Sequence, residues 1–305
     1  MKIVSIIIPA KNEGRYLSAC LESLLALNFP DNRYEIIVAD NGSTDDTVAI
    51  AESFSVKVVH LPEKTTISAV RNSGAAVASG DILVFLDADC TVTPDWLTQA
   101  QRYFDREDVA CFGSSPVIPE NGTWVEQTWF LARKSHEQVF ERDWQESTNM
   151  FIPKDIFDKS GGFNEELVTC EDVDLSYRLL QFGKIISDNR IVAIHHRDPK
   201  TIKEFFQKER WRGKSNYSGL FRHGLKVNEL PSLVLPLYFT ALLLSSLAAL
   251  LFGAFSLALF FFLMAQAPVM LLVFLKTRKD FRVGNYFRLL ILYNIYFLAR
   301  ACAIV

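Results

Sequence analysis

Short apolar runs alternate with amphipathic stretches along the first part of the chain. Residues 4–8 are β-branched at every position but Ser5, as expected of a strand covered on both faces. Residues 35–39, 56–60 and 82–86 repeat that character. Between them, residues 12–27 place Leu17, Cys20, Leu21, Leu24 and Leu25 at helical spacing. Residues 45–53 and the Ala-rich stretch 67–78 read as further helices, and Pro94 stands near the start of another that reaches about Tyr103. This alternation predicts an α/β fold with a doubly wound, mostly parallel sheet. Such sheets bind ligands beyond the carboxyl ends of their strands, so the polar residues there bear the chemistry.

The last part of the chain has a different pattern. Residues 230–275 contain no charged side chain. As one helix they would extend about 69 Å at 1.5 Å per residue, far more than the ~30 Å core of a bilayer. Gly253 divides them into 231–252 and 254–275, each about one span. Lys276, Arg278, Lys279 and Arg282 follow, and the positive-inside tendency puts that cluster on the cytoplasmic side. A third segment, 286–305, holds Arg288 and Arg300 around a shorter apolar stretch. It either spans, with both arginines snorkelling to opposite interfaces, or lies along the bilayer surface as an interfacial helix.

Charge sharpens this division. Residues 1–199 carry 18 Lys and Arg against 31 Asp and Glu, whereas residues 200–227 carry 8 against 2. An acidic body, a basic amphipathic segment and an apolar tail are therefore expected at 1–199, 200–229 and 230–305. An acidic body excludes nucleic acid as a partner, and the basic segment suits anionic lipid. The five cysteines form no C-x-x-C pair and argue against a disulfide framework or a zinc site. The initial apolar run is cut short by Pro9, unlike a secretory leader, so the body is expected to face the cytoplasm.

Four strand ends are rich in polar groups. The first gives Pro9, Lys11, Asn12 and Glu13, and the second gives D-N-G-S-T-D over residues 40–45. The helix after the third carries Arg71 and Asn72, and the fourth strand ends in Asp87, Ala88 and Asp89. No G-x-G-x-x-G follows the first strand and no G-x-x-x-x-G-K-[ST] occurs, which excludes a dinucleotide fingerprint and a P-loop. An acidic pair such as Asp87 and Asp89 either caps a turn or holds a hard cation shared with substrate phosphates. Glu171 and Asp172 likewise either cap a helix or supply a base.

Taken together, six segments resemble the family 2 glycosyltransferases of GT-A fold. They are S-I-I-I-P-A-K-N-E over residues 5–13, V-A-D-N-G-S-T-D over 38–45 and A-V-R-N-S-G over 69–74, followed by F-L-D-A-D over 85–89, G-G-F-N-E over 161–165 and E-D-V-D-L over 171–175. The resemblance implies a nucleoside diphosphate sugar as donor and a divalent cation, Mn or Mg, as cofactor. It gives Pro9, Lys11, Glu13, Asp40 and Arg71 to the nucleotide pocket and Asp87 to the ribose. Asp89 would ligate the cation, and Asp172 would be the catalytic base of an inverting transfer. His195 or His196, at another strand end, either completes the metal site or serves as a buried cap. Where the family often shows two aspartates in the second segment, Ala39 stands here for the first.

Q-K-E-R-W over residues 207–211 matches the Q-x-x-R-W pattern of membrane-embedded family members. By that resemblance Gln207, Arg210 and Trp211, with Glu171, would serve the acceptor and diphosphate side. A water-soluble acceptor would need neither two spans nor a basic belt, so a lipid-linked saccharide is the acceptor expected. The rivals are transfer to a polyprenyl phosphate and a silent scaffold that binds nucleotide sugar without turnover.

Overall fold

A computed structural model describes residues 2–62, 65–223, 230–279 and 281–303. The basic segment's residues 224–229 and the last two residues of the third apolar segment lie outside the described residues. The chain divides into two compact units: Met1–Pro119 with Ser135–Arg197, and Glu120–Lys134 with Asp198–Val305.

The first unit begins β1 (Val4–Ala10), α1 (Leu17–Leu25), β2 (Tyr34–Asp40), α2 (Thr47–Ser53), β3 (Lys57–His60), α3 (Ile67–Ala76) and β4 (Ile82–Leu86). It continues through β5 (Cys90–Val92), α4 (Trp96–Ala100) and β6 (Val109–Gly113). After a helix that belongs to the other unit, α5 (Trp124–Arg133), come β7 (Val139–Glu141), β8 (Asn149–Pro153), α6 (Lys154–Ser160), α7 (Glu171–Leu179), β9 (Lys184–Asp188) and β10 (Ala193–His195). Eight strands form one sheet in the order β3-β2-β1-β4-β8-β6-β9-β7, and β10 pairs with β5 in a small second sheet. The N-terminal strands β1 to β4 are parallel, while β8 enters antiparallel between β4 and β6.

Alternate side chains of β1 serve two cores. Ile6 and Ile8 pack with Leu17, Leu21, Val38 and Val84 on one face, and Ile7 packs with Ile37, Leu83 and Phe85 on the other. That double burial is why the strand reads as nearly unbroken apolar sequence. Gly74 lets α3 press on this layer, since a Cβ there would lie 2.5 Å from Ile7 Cγ2.

The first helix starts at Leu17, five residues later than its hydrophobic spacing suggests. Asn12 has φ +55°, a left-handed conformation that Asn tolerates better than most residues. Its amide N–H donates to Ser43 Oγ at 2.9 Å, and its Oδ1 accepts from Thr44 N–H at 2.8 Å. The loop after β1 is thus laced to the loop after β2 instead of continuing as helix.

The second unit contains α5, α8 (Ile202–His223), α9 (Leu230–Leu251), α10 (Phe255–Thr277) and α11 (Val283–Ala301). Among the described residues, Val234–Leu251 and Phe255–Thr277 are long and apolar enough to cross a membrane. Val125, Trp129, Phe205, Phe239, Val269 and Phe297 share one core that joins all five helices. Arg300 is not a snorkelling residue in this structure. It is 9% exposed and its Nη2 donates to Glu209 Oε2 at 2.8 Å.

Candidate active site

The β1 and β2 ends stand side by side, with Pro9 opposite Ala39 and Ala10 opposite Asp40. Lys11 is exposed just beyond them. Asp40 is buried and accepts from Gly42 N–H at 3.1 Å and Ser43 N–H at 3.2 Å. Its carboxylate therefore shapes the turn that follows β2, a role independent of any nucleotide.

Negative charge collects at the β4 end. Asp89 is buried, and its Oδ1 lies 3.5 Å from His195 Nε2. The antiparallel pairing of β10 with β5 sets His195 opposite Cys90 and so beside Asp89. His196 has its Nε2 2.9 Å from the Thr91 hydroxyl, and its backbone N–H donates to the Asp89 carbonyl. The geometry thus brings His195 to the carboxylate.

Glu13 adds to this cluster. Arg197 donates to its Oε1 at 2.7 Å, while Oε2 is buried without a hydrogen-bond partner. Burial pushes the Glu13 pKa up, Arg197 opposes that, and Asp89 and Asp87 push it further. Carboxylates that repel one another in this way suit a cation. Among the described residues no group of three or more His, Cys, Asp or Glu side chains is arranged to hold a metal. The side chains that could hold a cation here are Asp89 and His195, and substrate oxygens would have to complete its shell.

Arg71 links this end of the sheet to α7. Its Nη2 donates to Asp87 Oδ1 at 3.0 Å and its Nη1 to Glu171 Oε1 at 2.7 Å, across 100 residues of chain. The Thr148 hydroxyl holds the other Asp87 oxygen at 3.1 Å. Burial lowers the Arg71 pKa, but Asp87 and Glu171 outweigh it, and the net shift is upward. Arg71 and Glu171 are thus engaged with each other, an arrangement the motifs do not reveal. The G-G-F-N-E segment braces α3, the helix of Arg71, because Asn72 accepts from Phe163 N–H at 2.9 Å and a Cβ on Gly162 would lie 2.9 Å from Asn72 Oδ1.

Asp172 follows a strained joint, Cys170 at φ +63°. Its Oδ1 accepts from Val173 N–H at 2.8 Å. Part of the residue's surface remains open, yet its carboxyl is packed among protein atoms. That desolvation, together with the adjacent Glu171 and with Glu146, pushes its pKa up to about 7, with Arg71 pulling the other way. A carboxyl that titrates near neutrality is suited to accept a proton at physiological pH.

Gln207, Arg210 and Trp211 lie on α8 of the second unit, all exposed, with Trp211 at 52%. Glu209, inside the same motif, faces the opposite way and is fully buried. Thr148, Glu146 and Arg197 were not signalled by any motif. The run H-H-R at the β10 end was the only hint of the last.

A family model described as Glycosyl transferase family 2 matches residues 5–164. Glycosyltransferase AglE of Haloferax volcanii is 31% identical over 191 residues, which cover 60% of this chain and 63% of that protein. Beta-monoglucosyldiacylglycerol synthase of Nostoc is 28% identical over 59% of this chain and 41% of its own. The match thus spans less than two thirds of the length of either relative. Among solved structures, the mannosyltransferase PcManGT of Pyrobaculum calidifontis, in complex with GDP-Man and Mn2+, superposes with a TM-score of 0.62 at 15% identity, covering 98% of this chain and 86% of that one. TarS 1-349 of S. aureus, in complex with UDP-GlcNAc, gives 0.52 at 20% identity over 95% and 91%. At these identities the structural likeness establishes the fold.

Proposed function

The chain belongs to glycosyltransferase family 2, and on that premise we propose that it transfers a sugar from a nucleoside diphosphate sugar to a lipid-linked acceptor, inverting the anomeric carbon. Pro9, Lys11, Glu13 and Asp40 border the nucleobase, and Asp87 meets the ribose. Asp89 and His195 would hold a divalent cation, Mn or Mg, at the diphosphate. When bound, that cation supplies Lewis-acid stabilisation of the leaving diphosphate. The acceptor oxygen attacks from the opposite face while Asp172 takes its proton, and a single displacement of this kind inverts the centre. Gln207, Arg210 and Trp211 serve the acceptor and diphosphate side, since a guanidinium suits phosphate and an indole face suits a sugar.

The observation that carries this reading is the contrast between two adjacent carboxylates. Glu171 is paired with Arg71 at 2.7 Å, whereas Asp172 has its pKa pushed up to about 7. A silent scaffold has no need of a base so poised. A lipid acceptor is supported by the two apolar helices and by the name of the Nostoc relative, which makes a glycolipid. The cluster Lys276, Arg278, Lys279 and Arg282 supports a cytoplasmic catalytic unit on a multi-pass anchor.

A thermal-shift screen of nucleotide sugars with Mn or Mg tests the reading. The true donor at 100 times its Kd should stabilise the protein by about 2.7 kcal/mol. Asp89→Ala should abolish the metal-dependent part of that shift, and an unchanged metal-dependent shift would refute the cation assignment. Asp40→Ala should weaken free nucleoside diphosphate in the absence of metal. Unaltered affinity there would leave Asp40 as a turn residue.

A further inference from the structure

The loop between β7 and β8 is tied down at two points. Gln145, fully buried, donates its backbone N–H to Ser176 Oγ at 3.1 Å. Ser176 follows Asp172 by four residues on α7, and so lies on the same face of that helix. Further along the loop, the Thr148 hydroxyl donates to Asp87 Oδ2 at 3.1 Å. Asp87 returns to the start of α7 through Arg71 and Glu171, at 3.0 and 2.7 Å. Residues 145–148 are therefore a strap closed against α7, and Glu146 stands inside it.

Glu146 is fixed in turn. Its Oε2 accepts from Arg142 Nη1 at 3.0 Å, and the Ser115 hydroxyl lies 3.0 and 3.1 Å from Oε1 and Oε2. Among the described residues Ser115 is the one donor to Oε1, which leaves that oxygen a lone pair. The side chain remains 27% exposed. Its charge reaches the base: burial and Glu171 lead in pushing the Asp172 pKa up, and Glu146 adds to them.

The charge around Asp172 is unbalanced. Asp87, Glu171 and Glu146 share two guanidiniums, those of Arg71 and Arg142. Arg142 is engaged further by the Ser115 hydroxyl at 3.1 Å and by Gln145 Oε1 at 3.3 Å. A phosphate oxygen arriving here meets an excess of negative charge, and like charges brought together oppose binding. Phosphate is also largely ionised near neutral pH, so its attack needs no base. An alcohol is the opposite case. Its hydroxyl donates to a carboxylate, and its attack gains from the base that Asp172 supplies.

We propose that Glu146 selects the acceptor, taking a hydrogen bond from a saccharide hydroxyl and turning away a phosphate. This rests on the reading of Asp172 as the acceptor's base. The attacking oxygen bonds to the anomeric carbon, its proton passes to Asp172, and the nucleoside diphosphate leaves with the electrons of the broken C–O bond. Glu146 takes no part in that exchange. It decides which nucleophile stands beside the base, and it favours the lipid-linked saccharide over the polyprenyl phosphate.

Transfer to water tests this without knowledge of the acceptor sugar. Sugar release by the full-length detergent-solubilised protein, with donor and Mn saturating, would be measured against pH and against added dodecyl phosphate. The phosphate should inhibit the wild type weakly. Glu146→Gln keeps the shape and removes the charge, and dodecyl phosphate should inhibit it at a concentration about tenfold lower or less. Dodecyl β-D-glucoside, the uncharged control, should inhibit the variant no more tightly than the wild type. The pH limb of release should move to lower pH in Glu146→Gln, because a charge that raises the Asp172 pKa is gone. Glu146→Asp, which keeps the charge, should stay close to the wild type in both respects. Equal inhibition of wild type and Glu146→Gln by dodecyl phosphate would overturn the proposal, as would an unmoved limb or wild-type transfer of sugar onto the phosphate. A wild type that binds donor yet releases no sugar at any pH would instead refute the reading of Asp172 as base, and the proposal with it.

Discussion

Asp172→Asn should lower kcat by about 10²-fold or more, the usual scale for losing general-base help, while donor Kd stays nearly unchanged. The substitution keeps the size of the side chain and its place at the start of α7. It removes the one carboxyl in the α7 first turn whose pKa is pushed up to about 7. The wild-type kcat/KM should rise with pH through a limb centred near that value, because the base works only when deprotonated. The variant should lose the limb. Glu171→Gln acts differently: it removes a charge that pushes the Asp172 pKa up, so its limb should move to lower pH. Turnover at saturating donor, alongside direct donor titration, separates these outcomes. Near-normal turnover in Asp172→Asn with a dead Glu171→Gln would shift the base by one residue.

Arg71→Ala should destabilise the fold by about 3–5 kcal/mol, the range seen when one partner of a buried ion pair is removed. Arg71 is 4% exposed and serves two carboxylates at once, Asp87 at 3.0 Å and Glu171 at 2.7 Å. Without it both lose their countercharge. Chemical unfolding of the detergent-solubilised protein measures the loss, and Glu171→Gln in the same background should restore part of it. Arg71 also pulls the Asp172 pKa down, so any residual activity of Arg71→Ala should have its pH limb displaced upward. A variant as stable as the wild type would show that Asp87 and Glu171 do not depend on this guanidinium.

Much of the first unit is legible because its strands are buried on both faces. β1, β2 and β4 appear as apolar runs, and the polar residues that end them mark the site. The local pattern fails where a residue's partner is distant. Glu13 meets Arg197 across 184 residues, and Arg71 meets Glu171 across 100. Neither pairing leaves a trace in periodicity. Asn12 breaks the first helix through its own backbone conformation, which hydrophobic spacing does not register. β5 and β10 have three residues each, too few to show alternation, yet their pairing brings His195 to Asp89. Helix α5 carries a capping box at Thr123 and Glu126, but its union with the C-terminal helices depends on Trp129 meeting Tyr293 and Tyr296, far along the chain. Arg300 read as an interfacial arginine because its partner, Glu209, lies inside a motif whose other members face outward.

The anomeric configuration of the released sugar tests the central claim most directly. Glycosyltransferases can pass their sugar to water when no acceptor is present, and 1H NMR follows the first-formed anomer before mutarotation. The sugar released from the donor by the purified protein with Mn should have the configuration opposite to that in the nucleotide sugar, and Asp172→Asn should abolish its release. Retained configuration, or undiminished release by Asp172→Asn, would contradict an inverting transfer with Asp172 as base.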